Sequence, residues 1–528
     1  VSDDLTRPIG DAPALPPVPA AGGDRSGRRR GERPERRSLA AVLGLTVVNA
    51  VVPGTAFLAS GRRRLGAAVL VVFLLLLAGG VWLATSGQRT AARLAVDPTR
   101  LTWVLVALVV LALAWAAVVV TGYRSLLPRR SSRPRLAVGA LLVAALVAGV
   151  AYPAFRVGEA AVAQQGLLDG LFADDRQSAT VDDTVDPFGT KERVNVLLLG
   201  GDGGEGREGV RTDTVIVASI DTDTGATTLF SLPRNLEDLP FPADSPLAEL
   251  YPDGFDAGSE SESLLNSVYR NGPAAHPDVL GPTDDPGADW LKLGVGEALG
   301  LDLDYFVLVN LDGFSRLVDA LGGITVNVNY YVPINGITGQ ELPDDYIAPG
   351  PDQHMDGYTA LQFARGRFGL TDYDRMDRQR CTISAIIDEA DPITLLDQYQ
   401  ELAATTQDIV STDIPRAALD DFVDLAFLVK DAEIRSVVFD DSVIDPAYPD
   451  YDRIRQIVQD SIAPAAPASS APPAAPGDQA AGSEGDAAGE TPEPPPAAPA
   501  TDVGDACAYD PARAQEALDA GEPPSKAG

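Results

Sequence analysis

The chain has 528 residues, 45% of them hydrophobic, and carries 75 acidic against 41 basic side chains, a formal net charge of -34. That length allows several domains and a sizeable core, whereas the acidic balance excludes the broad basic face on which nucleic-acid binding rests. Two cysteines, Cys381 and Cys507, and two histidines, His276 and His354, are too few for a Cys/His zinc cluster or a paired-histidine site.

Residues 1–38 are rich in Pro, Gly and charge and end in an arginine run between Arg25 and Arg37. With so little apolar content they are expected to form a disordered basic cytoplasmic tail. Residues 39–155 read as a membrane region, with apolar segments at 39–60, 65–85, 101–122 and 136–155, each near the ~20 residues that cross a bilayer. Their number excludes a cleaved signal peptide. Basic residues cluster at 25–37, 62–64 and 124–135, and positive loops face the cytoplasm. The three clusters can share a side only if 39–60 does not span. Pro53 and Gly54 lie in its middle, which favours a re-entrant hairpin or interfacial element. Three spans then place everything after Tyr152 outside; four spans with the tail outside would give the same final location, against the positive-inside rule.

Residues 156–190 suggest a juxtamembrane helix and an acidic linker. The globular domain, 191–462, opens with a continuous apolar run at 194–200, the signature of a buried strand. A glycine-rich loop at 201–206 follows, then a strand at 215–220 and a turn at Asp223, Thr224 and Gly225 into a third strand at 226–232. Helical patterns at 261–271, 288–299, 312–321 and from near Asp356 alternate with strands at 305–310, 324–329 and 436–439. The expectation is an α/β or α+β domain with a central mixed sheet flanked by helices. Residues 463–500 have the composition of a disordered Pro/Ala-rich linker, and 501–528 are too short to fold alone. Cys381 and Cys507 both lie on the expected oxidising side, so a bridge and two free thiols both remain open.

Polar residues stand where these strands end. Asp202 follows the first, Arg211 and Asp213 precede the second, and Arg234 ends the third, which would bring them to one sheet edge, where α/β proteins place ligands. Two aspartates suit Mg²⁺, which takes one or two carboxylates and completes its shell with phosphate and water; the alternative is an ordinary turn and a cap. Between Phe363 and Arg380 five arginines, Arg365, Arg367, Arg375, Arg378 and Arg380, interleave with Asp372, Asp374 and Asp377. Guanidinium forks grip phosphate oxygens two at a time. A solvated helix face laced with ion pairs would carry the same pattern.

Taken in order, Asn195 to Gly200 with Asp202, Arg211-Thr-Asp-Thr214, Ser231-Leu-Pro-Arg234, Leu265-Asn266, Val318 to Gly323, Ala360 to Arg367 and Asp374-Arg375 to Gln379 resemble the LytR-CpsA-Psr family over roughly 191–392. The resemblance implies a membrane-anchored, extracytoplasmic phosphotransferase with an apolar lipid tunnel. Such an enzyme moves a glycopolymer and its phosphate from a polyprenyl-pyrophosphate carrier to a peptidoglycan hydroxyl, making wall teichoic acid, capsule or arabinogalactan. It implies Mg²⁺, or Mn²⁺, at Asp202 and Asp213, pyrophosphate-binding catalytic arginines at Arg234, Arg365, Arg367 and Arg375, and further substrate contacts at Arg211, Arg378 and Gln379. Asp374 or Asp372 is the expected proton acceptor. Asn235 stands where many members have Asp, and several apolar segments stand where many have one span. Competing readings are a pyrophosphatase using the same residues, a membrane-bound regulator and a structural wall anchor.

Overall fold

The structure is a computed structural model that describes residues 38–128, 132–172, 177–181, 188, 191–202, 210–390, 410–463 and 500–525. The expected tail, most of the acidic linker, the glycine-rich loop beyond Asp202, Arg129, Arg130 and the Pro/Ala-rich linker lie outside the described residues. The chain divides into two compact units, Val1–Leu70 with Val118–Leu146 and Val71–Ala117 with Val147–Gly528.

In the first unit α1 (Leu39–Val51) starts on the Ser38 side chain, which accepts the Ala41 N–H, and breaks at Pro53 and Gly54 before the short α2 (Thr55–Ala59). Gly54 takes φ 101°, a region open to glycine. The buried Asn49 satisfies the break: its Oδ1 accepts the N–H groups of Gly54 and Ala56, and its Nδ2 donates to the Val118 carbonyl. With 13 and 5 residues, both pieces are shorter than the ~20 residues of a span. Among the described residues, three helices are long and apolar enough to cross a membrane: α3 (Arg63–Thr85), followed after a short α4 (Gln88–Val96) by α5 (Pro98–Leu126) and α6 (Arg133–Leu171). The last joins the segment 136–155 and the juxtamembrane helix into one element.

The globular part contains β1 (Arg193–Gly201), β2 (Thr212–Asp221) and β3 (Thr227–Leu232), then α7 (Pro246–Leu250), α8 (Glu260–Ser263), α9 (Leu265–Ala275) and α10 (Pro286–Leu299). Next come β4 (Tyr305–Asn310), α11 (Leu311–Ala320), β5 (Ile324–Val328), β6 (Val332–Ile334), β7 (Asp345–Ile347), β8 (Gly350–Met355), α12 (Gly357–Arg365) and α13 (Asp372–Glu389). It ends with β9 (Val410–Thr412), α14 (Leu419–Val429), β10 (Ile434–Val438), α15 (Tyr451–Ile462), β11 (Thr501–Asp502), α16 (Val503–Ala506) and α17 (Pro511–Ala520). Seven strands form one mixed sheet in the order β11-β10-β3-β2-β1-β4-β9, parallel at β1–β4 and β3–β10 and antiparallel elsewhere. β5–β8 and β6–β7 are separate two-stranded ribbons.

Successive side chains leave a strand on opposite faces. Leu197, Val215, Val217 and Phe230 pack around Trp290 of α10, with Val268 of α9 and Ile454 of α15; Leu198, Ile216, Ala218 and Leu229 turn the other way, toward Ile383 of α13. Burial on both faces is why 194–200 reads as an uninterrupted apolar run. α10 illustrates how local sequence sets the layers: Asp285 caps it by accepting the Ala288 N–H, Pro286 occupies its first turn, and Gly300 ends it at φ 66°.

Two further contacts bear on function. At the edge where β1 and β4 begin, Val194, Val196 and Tyr305 meet Ala418, Leu419 and Phe422, with Val96 of α4 packed against them. Arg93 pairs there with Asp424, and Arg100 with Asp420 at 3.0 Å. At the far side, β11 extends the sheet on β10, and Cys381 of α13 is disulfide-bonded to Cys507, with Cα atoms 5.6 Å apart.

Candidate active site

Antiparallel pairing puts the end of β1, the start of β2 and the end of β3 on one edge. Asp202 follows β1, and its backbone N–H donates to the Arg211 carbonyl at 3.0 Å while its Oδ1 accepts the Arg211 N–H at 2.8 Å. Arg234 leaves β3 and donates from Nη1 to Asp213 Oδ1 at 2.8 Å, an oxygen that Asn266 Nδ2 also approaches at 3.3 Å. Facing this edge, α12 ends at Arg365 and the chain passes through Gly366 and Arg367 into α13. A Cβ at Gly366 would stand 2.5 Å from the Pro333 carbonyl, so the arginine loop approaches β6 only because that residue is glycine.

Asp372, in the first turn of α13, joins the two halves. Its Oδ2 accepts from Arg375 Nη2 at 3.0 Å, and its Oδ1 lies 3.3 Å from Arg234 Nε and 3.6 Å from Arg367 Nη1. Arg375 also donates to the Asp213 carbonyl at 3.0 Å. Its side chain is 4% exposed, and among the described residues its Nε has no hydrogen-bond acceptor, an orphaned donor of the kind a ligand oxygen satisfies. Burial pushes the Arg375 guanidinium down to about 10, which leaves it charged at neutral pH. Burial alone would raise the Asp213 carboxyl, but the hydrogen bond and charge of Arg234, joined by Arg375 and Asn266, hold it below the usual range.

Behind this cluster lies a cavity of about 830 Å³. Asp202, Asp213, Arg365, Arg367, Asp372, Arg375 and Gln379 line its polar end, and Leu198, Val307, Phe314, Leu317, Ile383 and Ile386 supply apolar wall. Gln379, Ile383 and Ile386 share a face of α13 at helical spacing, so one helix serves both ends.

Four of the candidate site residues, Arg211, Arg234, Asp374 and Arg378, lie outside the lining. Arg211 pairs with Glu262 at 2.7 Å, outside the lining. Arg378 is buried and donates to the carbonyls of Phe363 and Gly366 and to Tyr330 Oη, so it supports the arginine loop from behind. Asp374 forms a capping box with Thr371 and lies outside the lining. Arg234 reaches the mouth through Asp213 and Asp372. Sequence reasoning missed Asn266 as a second donor to Asp213 and Thr214 as the acceptor for Gln379 Nε2 at 2.8 Å. The expected apolar tunnel was not assigned to residues, although the period of isoleucines along 383–387 was a signal for its wall.

Among the described residues, no group of three or more His, Cys, Asp or Glu side chains forms a metal-ligand set. Asp202 and Asp213 nonetheless line the same polar end, and two hard carboxylates are what Mg²⁺ draws from a protein when phosphate and water complete its shell. The donor set fits that ion.

Fold and site together define a membrane-associated α/β protein in which an arginine–aspartate cluster closes the polar end of an apolar cavity. The chain belongs to the LytR_cpsA_psr family, whose model matches residues 169–446. It is 30% identical over 230 residues to the polyisoprenyl-teichoic acid–peptidoglycan teichoic acid transferase TagU of Enterococcus faecalis, covering 42% of this chain and 62% of that protein. It is 25% identical over 236 residues to biofilm regulatory protein A of Streptococcus mutans, covering 43% and 52%. The chain thus spans less than two thirds of the length of these relatives. Of solved structures, TagV of B. subtilis is similar at 24% identity and a TM-score of 0.36, over 51% of this chain and 97% of that one.

Proposed function

We propose that this protein transfers a glycopolymer, with its phosphate, from a polyprenyl-pyrophosphate carrier to a peptidoglycan hydroxyl on the outer side of the membrane. One observation carries the reading: the apolar cavity of about 830 Å³ ends at Arg365, Arg367 and Arg375, matching a ligand with a greasy tail and a pyrophosphate head. The name of the Enterococcus faecalis relative, a teichoic acid transferase, agrees with it.

In this mechanism the isoprenoid lies against Leu198, Phe314 and Ile383, and the pyrophosphate meets the three guanidinium groups, Arg375 Nε included. The acceptor oxygen attacks the glycan-side phosphorus in line, the bond from that phosphorus to the bridging oxygen breaks, and polyprenyl phosphate leaves. The hydroxyl proton passes to Asp372, the carboxylate beside Arg367. Positioning and charge stabilisation do most of the work in phosphoryl transfer. Mg²⁺ or Mn²⁺ held by Asp202 and Asp213 would neutralise phosphate charge when bound. α4 and the first turn of α5 pack on the globular domain through Arg93 and Arg100, which supports a multi-pass topology with both on one side, the extracytoplasmic one.

The test supplies the purified full chain in detergent with a lipid-pyrophosphate-linked sugar, Mg²⁺ and peptidoglycan. Transfer releases polyprenyl phosphate together with labelled wall. Release that is independent of peptidoglycan, with no labelled wall, makes the protein a pyrophosphatase instead.

A further inference from the structure

The segment after the Pro/Ala-rich linker packs on the globular domain. Beyond Cys507 it crosses to the β5–β8 ribbon and the turn after it, where Asn327 Nδ2 donates to the Cys507 carbonyl at 3.1 Å and Asn329 Nδ2 to the Ala508 carbonyl at 3.1 Å. The Asp510 N–H donates back to Asn329 Oδ1 at 2.9 Å. These bonds set the start of α17, whose Arg513 places its guanidinium carbon 4.5 Å from the centre of the Tyr330 ring and its Nη2 3.5 Å from Asp374 Oδ1.

Tyr330 is the next link. Its hydroxyl accepts from Arg378 Nη1 at 2.8 Å, and Arg378 in turn donates from Nε to the Phe363 carbonyl at 2.7 Å and from Nη2 to the Gly366 carbonyl. Those two carbonyls bracket Arg365, and Gly366 lies between Arg365 and Arg367. Arg378 is 4% exposed, so its donors have no water to fall back on and its position depends on these acceptors.

We infer that residues 501–524 form a positioning strap, in which Arg513 acts through Tyr330 and Arg378 to hold Arg365 and Arg367 at the cavity mouth. Arg513 is a positioning residue: it contacts neither the cavity nor any reacting atom. The inference rests on the pyrophosphate role proposed above for those two arginines, but its physical content, a rigid loop, can be measured without substrate.

The experiment compares the full-length wild type with Arg513→Ala, Arg513→Lys and Tyr330→Phe. Hydrogen–deuterium exchange is read over 362–371, where the Gly366 and Leu370 amides are hydrogen-bonded, with 215–220 as the internal control. Arg513 is 53% exposed, so its loss should leave folding intact, and Tyr330→Phe keeps the ring while removing the acceptor for Arg378. Exchange over 362–371 should quicken in Arg513→Ala and Tyr330→Phe, with the control unchanged and Arg513→Lys close to wild type. KM for the lipid substrate should rise about two- to fivefold at constant kcat, the range set by one exposed cation–π contact. Equal exchange over 362–371 in all four proteins would overturn the strap. Failure of wild type to bind polyprenyl pyrophosphate while exchange still responds would instead remove the proposed substrate and leave the strap standing.

Discussion

Arg234 Nη1 donates to Asp213 Oδ1 at 2.8 Å, tying the end of β3 to the start of β2 at the cavity mouth. Asp213 therefore has a folded pKa below its unfolded value of about 3.9. Stability from such a group is present above the unfolded pKa and is lost as pH falls through the folded one. The difference in Tm between wild type and Asp213→Asn should be greatest near neutrality and shrink below about pH 4. A gap that stays constant from neutral to acid pH would detach Asp213 from the acid response.

The same pair separates metal effects from arginine effects. Asp202→Asn should weaken a Mg²⁺ site, so added Mg²⁺ should restore transfer. Asp213→Asn should recover only in part, because Arg234 also loses its partner. Arg365→Ala and Arg367→Ala should each lose about tenfold to a hundredfold in transfer, from about 1.5–3 kcal/mol per charged hydrogen bond. Mg²⁺ should not help them, and Arg367→Lys should recover a fraction, since charge remains and the fork does not. Rates across a Mg²⁺ titration decide this; full transfer by a folded Arg365→Ala, Arg367→Ala double variant would take the mechanism with it.

Asp372 and Asp374 are two residues apart and should fail differently. Asp374, at the third helical position, accepts from the Thr371 N–H and hydroxyl, so Asp374→Ala should remove half of the capping box and cost about 0.3–1.5 kcal/mol of stability. Transfer per folded molecule should fall little. Asp372→Asn should depress transfer about a hundredfold or more, the scale of a catalytic proton acceptor removed, with a smaller effect on melting. Thermal unfolding beside specific activity gives the comparison, and the reverse ranking would return the proton-acceptor role to Asp374.

Those two aspartates also mark what could be read from the sequence. The sheet was legible where burial is two-sided, as in β1, and where a turn residue is decisive, as at Gly225 between β2 and β3. β8, with the sequence Gly350-Pro-Asp-Gln-His-Met355, was not, because it is largely exposed and carries no apolar alternation. Nor was β11, two residues long, whose place depends on the distant Cys381. At the site, residue type announced the arginines, but which of them face the cavity depends on tertiary contacts. Arg378 differs from Arg375 only in pointing behind the loop. The capping role of Asp374 did have a local signal, a Thr three residues earlier.

The Cys381–Cys507 bond closes a long loop, with a sequence separation of 126. By chain entropy a loop of that length corresponds to roughly 5 kcal/mol, of which disulfides typically deliver about 2–4 kcal/mol. Cys507→Ser, or reductant added to wild type, should therefore lower Tm by several degrees. Protection of 501–524 from limited proteolysis should fall with it. Unchanged melting and proteolysis in Cys507→Ser would mean that the hydrogen bonds from Asn327 and Asn329 hold the strap without the covalent link.

The stretch 86–97 carries two arginines, Arg89 and Arg93, against three at 62–64 and five at 124–135, so the positive-inside bias leaves it opposite those clusters. If α3 and α5 each cross the membrane, residues 62–64 and 124–128 lie on one side and residues 86–97 on the other. α4 packs on α14 within one unit, so 86–97 share a side with the globular domain. Arg93 and Arg100 are matched there by Asp424 and Asp420, and Arg89 lies over the Phe427 ring at 5.4 Å. Both native cysteines are bonded to each other, so single cysteines can be labelled on intact cells without background. Ser86→Cys and Asp452→Cys should react with a membrane-impermeant maleimide, and Gly61→Cys should react only after permeabilisation. Labelling of Gly61→Cys with protection of Asp452→Cys would place the site in the cytoplasm, away from peptidoglycan. Protection of Ser86→Cys alone would part the loop from the domain and break the pairing of Arg93 with Asp424.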